Sequence, residues 1–404
     1  MAPPFKIDLV SEHASPLADP GGPDAGGQNV HVAELSAAMV AQGHDVTVWT
    51  RRERPGQPDS VTTDAGVRVR HLDAGPPRPV AKDELLPYLP ALTDGLRAAW
   101  TLDRPDVVHA HFWMSGQVSL AAAGELDVPV VQTFHALGAV KRRHQGNADT
   151  SPWERLRAEQ HLARSVDRII ATCSDEVAEL IRLGAPRNRI SVVPCGVDTT
   201  TLTPHGPPRP RGASPRLVSL GRLVRRKGVD EAIVALTEVP DAELVVAGGA
   251  GTGDPDLGRL QALAAAKGVA QRVRFIGPVS RRDVPALLRS ADAVVCTPWY
   301  EPFGMVALEA MACGRPVVAS AVGGLADTVV DGVTGLLVPP RRPSETAAAL
   351  RRVLSSPATA RAMGAAGRDR AEKRYGWNQV ATATAEVYAD MVDPESLALI
   401  GTAR

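Results

Sequence analysis

Short apolar or β-branched runs alternate along the chain with longer stretches whose apolar residues recur every three or four positions. In the first half Phe5–Val10, Val46–Thr50, Val67–His71, Val107–Ala110, Val130–Phe134, Arg168–Ala171 and Ile190–Val193 read as strands. Between them Val30–Gln42, Asp83–Trp100, Met114–Glu125, Glu154–Ser165 and Asp175–Leu183 carry helical spacing, and Gly43 and Gly184 stand where helices stop. Strand and helix in regular alternation predict an α/β fold with a parallel, doubly wound sheet.

That rhythm lapses over Asp198–Pro215, which is crowded with Pro, Gly and Thr and reads as a connection between domains. It then restarts, with strands over Arg216–Leu220, Glu243–Ala247, Val273–Ile276, Ala293–Cys296, Val317–Ser320 and Leu336–Val338. Helices are expected to begin near Gly228, Leu257, Arg281, Gly304 and Pro343, and two more, Ala358–Lys373 and Asn378–Val392, close the chain. The expected organisation is a first domain over 1–200, a linker over 201–215 and a second domain over 216–375, with a terminal helix at 376–393 returning to the first.

A chain of 404 residues suits two domains rather than one core. Its 45 basic and 45 acidic residues cancel, so nothing in the net charge points to nucleic acid, and any anion site must be local. Peripheral membrane contact is left open. Cys173, Cys195, Cys296 and Cys313 form no C-x-x-C pair, which argues against a zinc site or a disulfide framework and for a reducing, cytoplasmic setting. No secretory leader and no spanning apolar stretch is legible.

In an open α/β sheet, ligands collect beyond the carboxyl ends of the strands, which directs attention to three loops. The loop after the first strand runs Asp19-Pro-Gly-Gly-Pro-Asp-Ala-Gly-Gly-Gln-Asn29, with Gly26 and Gly27 immediately before a helix, where backbone can approach a diphosphate. It does not follow the G-x-G-x-x-G dinucleotide pattern. The corresponding loop of the second domain, Ser219–Gly228, carries Arg222 and Lys227, a cationic clamp able to stabilise a departing diphosphate; Arg225 and Arg226 are expected to face solvent. The third, Thr297–Pro316, holds Glu301 before a helix and Glu309 in its second turn, with amides around Gly304, Met305 and Val306 available to an anion. Two carboxylates so spaced can reach different hydroxyls of one ligand. The basic run Lys141–His144 reads as a solvated loop, with added positive charge for an anionic acceptor as the alternative.

Glu301-Pro-Phe-Gly, four residues, then Glu309-Ala-Met-Ala resembles the Glu-x7-Glu signature of glycosyltransferase family 4. The resemblance extends to Gly26-Gly27-Gln28-Asn29, Thr133-Phe-His135, Gly196-Val-Asp198, Gly221-Arg222 with Lys227, and Val322-Gly-Gly-Leu325. It implies the GT-B architecture of two Rossmann-like domains facing each other across a cleft, retention of anomeric configuration, and no required metal or cofactor. The co-substrate it implies is a nucleotide sugar, UDP-glucose or UDP-N-acetylglucosamine. Carried over, Arg222 and Lys227 hold the donor diphosphate with Gly27 and the amides of Gly304–Val306. Glu309 then binds the ribose, Glu301 contacts the transferred sugar, and His135 lies beside its reacting face. Within the family the chain is similar to the sucrose synthase and sucrose-phosphate synthase group and to the inositol-phosphate N-acetylglucosaminyltransferases of mycothiol synthesis.

For the acceptor, a small hydroxylated molecule with or without a phosphate, the resemblance points to Asn29, Lys82, Phe112 and Arg155. The inositol-phosphate enzymes carry Tyr at the position of Phe112 and Thr at that of Ala136, so two hydroxyl contacts to a phosphate are missing here. Two other functions suit the same scaffold: a nucleotide-sugar epimerase or hydrolase, and a binding protein without turnover. The intact set of His135, Arg222, Lys227, Glu301 and Glu309 speaks against the last. Oligomeric state is not legible.

Overall fold

The structure, a computed structural model, describes residues 4–18, 26–146 and 149–392. Residues 19–25 of the glycine-rich loop and position 393 of the expected terminal helix lie outside the described residues. The chain divides into two compact units: one runs to Pro194 and resumes at Trp377, the other spans Cys195–Gly376.

The first unit has strands β1 (Lys6–Val10), β2 (Asp45–Arg51), β3 (Ser60–Thr62), β4 (Arg68–Leu72), β5 (Val107–His111), β6 (Val130–Thr133), β7 (Arg168–Ala171) and β8 (Ile190–Val192). Its helices are α1 (Gly27–Ala41), α2 (Leu89–Leu102), α3 (Trp113–Ala123), α4 (Gly138–Gln145), α5 (Glu154–Ser165) and α6 (Ser174–Arg182). The sheet order is β3-β4-β2-β1-β5-β6-β7-β8, parallel except for β3 against β4. Every residue of β5 is buried, as expected of a central parallel strand covered on both faces.

Three features depart from the sequence pattern. Strand β3 is short and exposed at the sheet edge, where no alternation marks it. The expected helix Asp83–Trp100 begins as two 3-10 turns, Lys82–Glu84 and Leu86–Tyr88, and becomes α-helical only at Leu89. Pro87 and Pro90 supply no amide and are tolerated only at such starts. The basic run Lys141–His144 lies in α4 rather than in a loop, with Arg142, Arg143 and His144 near the helix C-terminus, where positive charge is favoured.

The second unit follows the same plan with β9 (Arg216–Leu220), β10 (Glu243–Ala247), β11 (Val273–Gly277), β12 (Ala293–Cys296), β13 (Val317–Ser320) and β14 (Gly335–Val338), ordered β11-β10-β9-β12-β13-β14. Its helices are α7 (Val229–Ala235), α8 (Leu257–Ala266), α9 (Val284–Arg289), α10 (Met305–Ala312), α11 (Gly324–Thr328), α12 (Pro343–Leu354) and α13 (Pro357–Tyr375). Leu217, Leu244 and Val295 pack against residues of α7, α8 and α12, whereas Val218, Val245 and Val294 pack against α9, α10 and α13, so the sheet is covered on both sides. The segment expected as a linker belongs to this unit. Val197 and Leu202 are buried in its core, Val197 N–H donates to the Tyr375 carbonyl at 2.7 Å, and Arg209 N–H donates to Ala286 O at 2.8 Å. Its prolines and glycines route backbone along a surface already present.

The last helix, α14 (Trp377–Val392), joins the first unit. It buries Trp377, Val380, Ala381 and Tyr388, and Gln42 Nε2, at the C-terminal cap of α1, bonds Asn378 O, Asn378 Oδ1 and Thr382 Oγ1 at 2.7–3.0 Å. Each large side chain buried there contributes about 1.5–3 kcal/mol, which anchors a helix whose sequence neighbours lie in the other unit.

Candidate functional site

In each unit the first strand lies between two others reached by opposite windings, β1 between β2 and β5 and β9 between β10 and β12. The loops leaving β1 and β5, and those leaving β9 and β12, therefore diverge and open a crevice at their carboxyl ends.

In the second unit the loop after β9 turns through Arg225–Lys227 into Gly228, whose φ of 67° is left-handed and precedes α7. A side chain at Gly228 would overlap the carbonyl oxygen of Thr297, so only glycine lets the two loops meet. They are stitched by Thr297 Oγ1 donating to Gly228 O at 2.8 Å and Trp299 N–H donating to Arg226 O at 2.8 Å. Lys227 Nζ then forms an ion pair with Glu301 Oε2, both side chains largely buried. Burial raises the Glu301 pKa, but Lys227, Arg226 and the Gly304 amide outweigh it and hold the carboxyl below its ordinary value. Glu301 is therefore an ionised acceptor at neutral pH.

Gly304, with φ of 75°, starts α10 and packs under Leu325. Its amide serves Glu301, which narrows the expected anion-binding set to Met305 and Val306, whose first-turn amides have no intrahelical acceptor. Glu309, half-buried one turn further on, is pushed up to about 7 by burial, against the pull of Arg281 and Lys227. Arg222 is exposed and makes no ion pair or hydrogen bond among the described residues. Arg225 is exposed as expected; Arg226 is not, being half-buried, with its pKa lowered by desolvation and supported by Glu301. The backbone contact to Trp299 holds it there.

In the first unit the corresponding place is almost free of net charge. Gln28 Nε2 on α1 donates to Ser11 Oγ at 3.2 Å and His111 O at 3.3 Å, tying the ends of β1 and β5 together. Gly26 leads into α1, and Asn29 Oδ1 accepts its N–H at 3.0 Å while Asn29 Nδ2 donates to Ser15 O at 3.1 Å. Gly27 is the first residue of α1. The buried Asn29 amide is thus used on both sides by backbone.

His135 follows β6 with φ of 61°, and Phe112 follows β5 with φ of 81°, two non-glycine residues held in a conformation that costs about 1–3 kcal/mol each. Such strain at adjacent strand ends marks a place where side-chain direction matters. His135 Nε2 lies 2.9 Å from His111 Nδ1, the His31 ring stands edge-on to His135 at 5.1 Å, and the His109 ring lies tilted by 35° against His111 at 4.2 Å. His109 Nδ1 meets Tyr388 Oη at 2.7 Å and its Nε2 meets Thr133 Oγ1 at 2.8 Å. Burial lowers the pKa of His31 to about 4 and of His109 to about 3, and burial with mutual repulsion holds His111 and His135 well below the usual value. All four rings are neutral at neutral pH.

Arg155 is buried. Its Nε donates to Glu159 at 2.7 Å, Nη1 to Ser151 Oγ at 3.2 Å and Nη2 to Ala136 O at 2.5 Å, and its guanidinium covers the Phe112 ring at 4.9 Å. Lys82 lies half-buried in the turn before α2. On the other side of Phe112, His13 meets its ring edge at 4.9 Å, and His13 Nδ1 is 2.6 Å from the buried Glu12 carboxylate, which also accepts Ser115 Oγ–H. Among the described residues no cluster of His, Cys, Asp and Glu could hold a metal ion.

Residues 26–196 match the family model described as Glycosyl transferase 4-like domain, and residues 206–370 the model described as Glycosyl transferases group 1. A D-inositol 3-phosphate glycosyltransferase of Xylanimonas cellulosilytica is 39% identical over 95% of this chain and 96% of its own length. The protein of the same name from Kineococcus radiotolerans is 40% identical over 95% of this chain and 94% of its own. Among solved structures, the sucrose-phosphate synthase of Thermosynechococcus elongatus matches with a TM-score of 0.87 and 32% identity, over 95% of this chain and 98% of that one. The chain belongs to glycosyltransferase family 4.

This family 4 enzyme has the GT-B fold of two Rossmann-like domains and transfers a hexosyl group to a hydroxyl-bearing acceptor. The structure gathers Arg222, Lys227, Glu301, Gly304, Met305, Val306 and Glu309 at one sheet end of the second unit. It gathers Gly27, Asn29, Phe112, His135 and Arg155 around the ends of β1, β5 and β6 in the first. Sequence reasoning missed Glu12, His13, His31, His109, His111, Ser115 and Tyr388. The alternation of His109 and His111 on one face of a strand was the available signal; the partners from α1 and α14 left none.

Proposed function

We propose that the enzyme moves glucose or N-acetylglucosamine, with retention, from a UDP-sugar to a small polyhydroxylated acceptor. The observation that carries this reading is the Lys227–Glu301 pair at the β9/β12 crevice, flanked by exposed Arg222 and the first-turn amides of α10. Arg222, Lys227 and the Met305 and Val306 amides hold the donor diphosphate and stabilise the charge that grows as it leaves. When diphosphate engages Lys227, the ionised Glu301 accepts hydrogen bonds from the transferred sugar, and Glu309 takes the ribose hydroxyls. The bond from C1 to phosphate oxygen breaks, the bond from C1 to the acceptor oxygen forms, and the acceptor proton passes to a phosphate oxygen. His135 contacts the sugar, and Gly26 and Gly27 line the approach to α1.

The acceptor is placed at the ends of β1, β5 and β6, near Asn29, Lys82, Phe112 and Arg155. The relatives are named for D-inositol 3-phosphate. Here Phe112 has no hydroxyl and Arg155 is committed to Glu159, Ser151 and Ala136, which favours recognition of ring hydroxyls over a phosphate gripped by that arginine. The four cysteines are free thiols, which supports a reducing, cytoplasmic setting, and no helix among the described residues is long and apolar enough to cross a membrane.

Mass spectrometry of products tests the proposal, with UDP-, ADP- and GDP-sugars offered alongside inositol, inositol 3-phosphate, hexoses and hexose phosphates. A hexosyl-acceptor conjugate from a UDP-sugar is expected, with the donor's anomeric configuration by NMR. Consumption of another nucleotide sugar alone would reject the donor assignment, and product from donor without acceptor would reveal an epimerase or hydrolase.

A further inference from the structure

The loop leaving β1 sets a buried carboxyl group beside a histidine. Glu12 is shut off from solvent, and its two carboxyl oxygens have different partners. Ser115 Oγ accepts the Glu12 N–H at 3.1 Å and gives its single proton to Glu12 Oε2. Glu12 Oε1 lies 2.6 Å from His13 Nδ1. Ser115 stands in the first turn of α3, so the carboxyl group sits at a helix start, where the dipole favours its ionised form. A carboxylate can only accept, and imidazole is the stronger base by about two pK units, so the proton between them rests on Nδ1. The loop is fixed around this pair: Ser11 Oγ donates to Ala14 O at 2.9 Å, and Asn29 Nδ2 donates to Ser15 O at 3.1 Å. The His13 ring meets the edge of Phe112 at 4.9 Å and lies near enough to His135 to lower its pKa. His13 Nε2, at the far end of the ring, has no hydrogen-bond partner among the described residues, and unlike His111 Nε2 it is not sealed from solvent.

We propose that Glu12 is a positioning residue: it holds His13 as the tautomer protonated on Nδ1, so that a bare Nε2 receives a hydrogen bond from a hydroxyl of the acceptor molecule. A bare ring nitrogen takes a hydroxyl proton and has no hydrogen to offer a phosphate oxygen. His13 therefore selects the hydroxyl-bearing face of a small polyol at the edge of Phe112. It grips a hydroxyl beside the reacting one, whose own proton still passes to the departing phosphate. The hydroxyl contact rests on the reading of this crevice as the acceptor site; the tautomer does not.

The test uses the full chain with 15N-labelled histidine at about pH 8, where imidazole is ordinarily neutral, His13 being identified by its loss in His13→Asn. Two-bond proton–nitrogen correlation should show His13 protonated on Nδ1 alone, and a proton on Nε2, with or without one on Nδ1, overturns the assignment. Glu12→Gln keeps the side chain's shape. Because Ser115 donates to its amide oxygen, the amide N–H faces Nδ1 and should move the ring proton to Nε2. A proton that stays on Nδ1 in this variant overturns the control by Glu12. With inositol or inositol 3-phosphate varied against UDP-glucose, Glu12→Gln and His13→Ala should each raise the acceptor KM about tenfold, as loss of one hydrogen bond does. The UDP-glucose KM and the thermal unfolding midpoint should stay at wild-type values. A wild-type acceptor KM in Glu12→Gln, with the ring proton moved, overturns the positioning role. A His13 Nε2 signal unmoved by saturating inositol and inositol 3-phosphate overturns the hydroxyl contact. Absence of product from both acceptors counts against the reading of the crevice, and the nitrogen signals of the free enzyme decide the tautomer independently.

Discussion

The two crevices occupy the same topological position and are chemically opposite. At β9 and β12 an ion pair, an exposed arginine and a helix start concentrate charge; at β1, β5 and β6 four neutral imidazoles, Phe112, and Arg155 and Glu12, each hydrogen-bonded within the fold, suppress it. The doubly wound frame decides where a ligand can lie, and the loops decide what it can be. The proposed polyanionic donor belongs to the first environment, and the proposed hydroxyl-rich acceptor, with or without a phosphate, to the second.

The largest test of that contrast removes its strongest charge. Lys227→Ala is expected to lower kcat/KM by about 10²–10³, as loss of a cation from a developing anion does, while far-UV circular dichroism stays unchanged. Wild-type turnover in this variant would mean that the diphosphate lies elsewhere.

The room for a side chain at two loop glycines separates the units next. At Gly228 an alanine meets both a left-handed φ and the Thr297 carbonyl, so Gly228→Ala should cost more than about 2 kcal/mol in thermal unfolding of the second unit. Among the described residues nothing lies within 4 Å of a side chain added at Gly26, whose φ is extended, and Gly26→Ala should cost at most about 1 kcal/mol. Equal penalties would erase the distinction between a loop locked to its neighbour and one that is not.

A smaller effect sharpens the picture of the first unit. Asp8 on β1 is buried, accepts the indole N–H groups of Trp49 at 2.6 Å and Trp100 at 2.7 Å, and is pushed up by burial to about 6 from 3.8. A raised carboxyl pKa stabilises the fold below the unfolded value and loses that contribution as pH rises through the folded one. The stability difference between wild type and Asp8→Asn, measured by urea unfolding, should therefore shift against wild type by roughly 1–3 kcal/mol between about pH 4 and 6. The lowered histidines act in the opposite direction in both proteins and cancel in the difference. A flat difference would show that the indoles, not burial, control Asp8.

Much of this was written in local pattern. The strands over Val107–Ala110 and Glu243–Ala247 were legible because fully buried parallel strands are continuous apolar runs, and Glu301, Gly304 and Glu309 because their spacing is fixed by one helix start. Edge strand β3 was not, since an exposed edge imposes no alternation. Helix α4 was misread because its residues are mostly polar, with only Gly138 and Val140 buried.

By itself the sequence determined the α/β alternation, two sheets, and the residues at the switch points of both. Tertiary structure alone decided that 195–215 packs into the second unit, that Tyr388 of the returning helix meets His109, and that Arg155 and Asn29 are bonded within the fold. It also decided which imidazole nitrogen faces which. Periodicity reports the face a residue turns toward the core, whereas a hydrogen bond between residues tens or hundreds of positions apart depends on where the whole chain carries each atom.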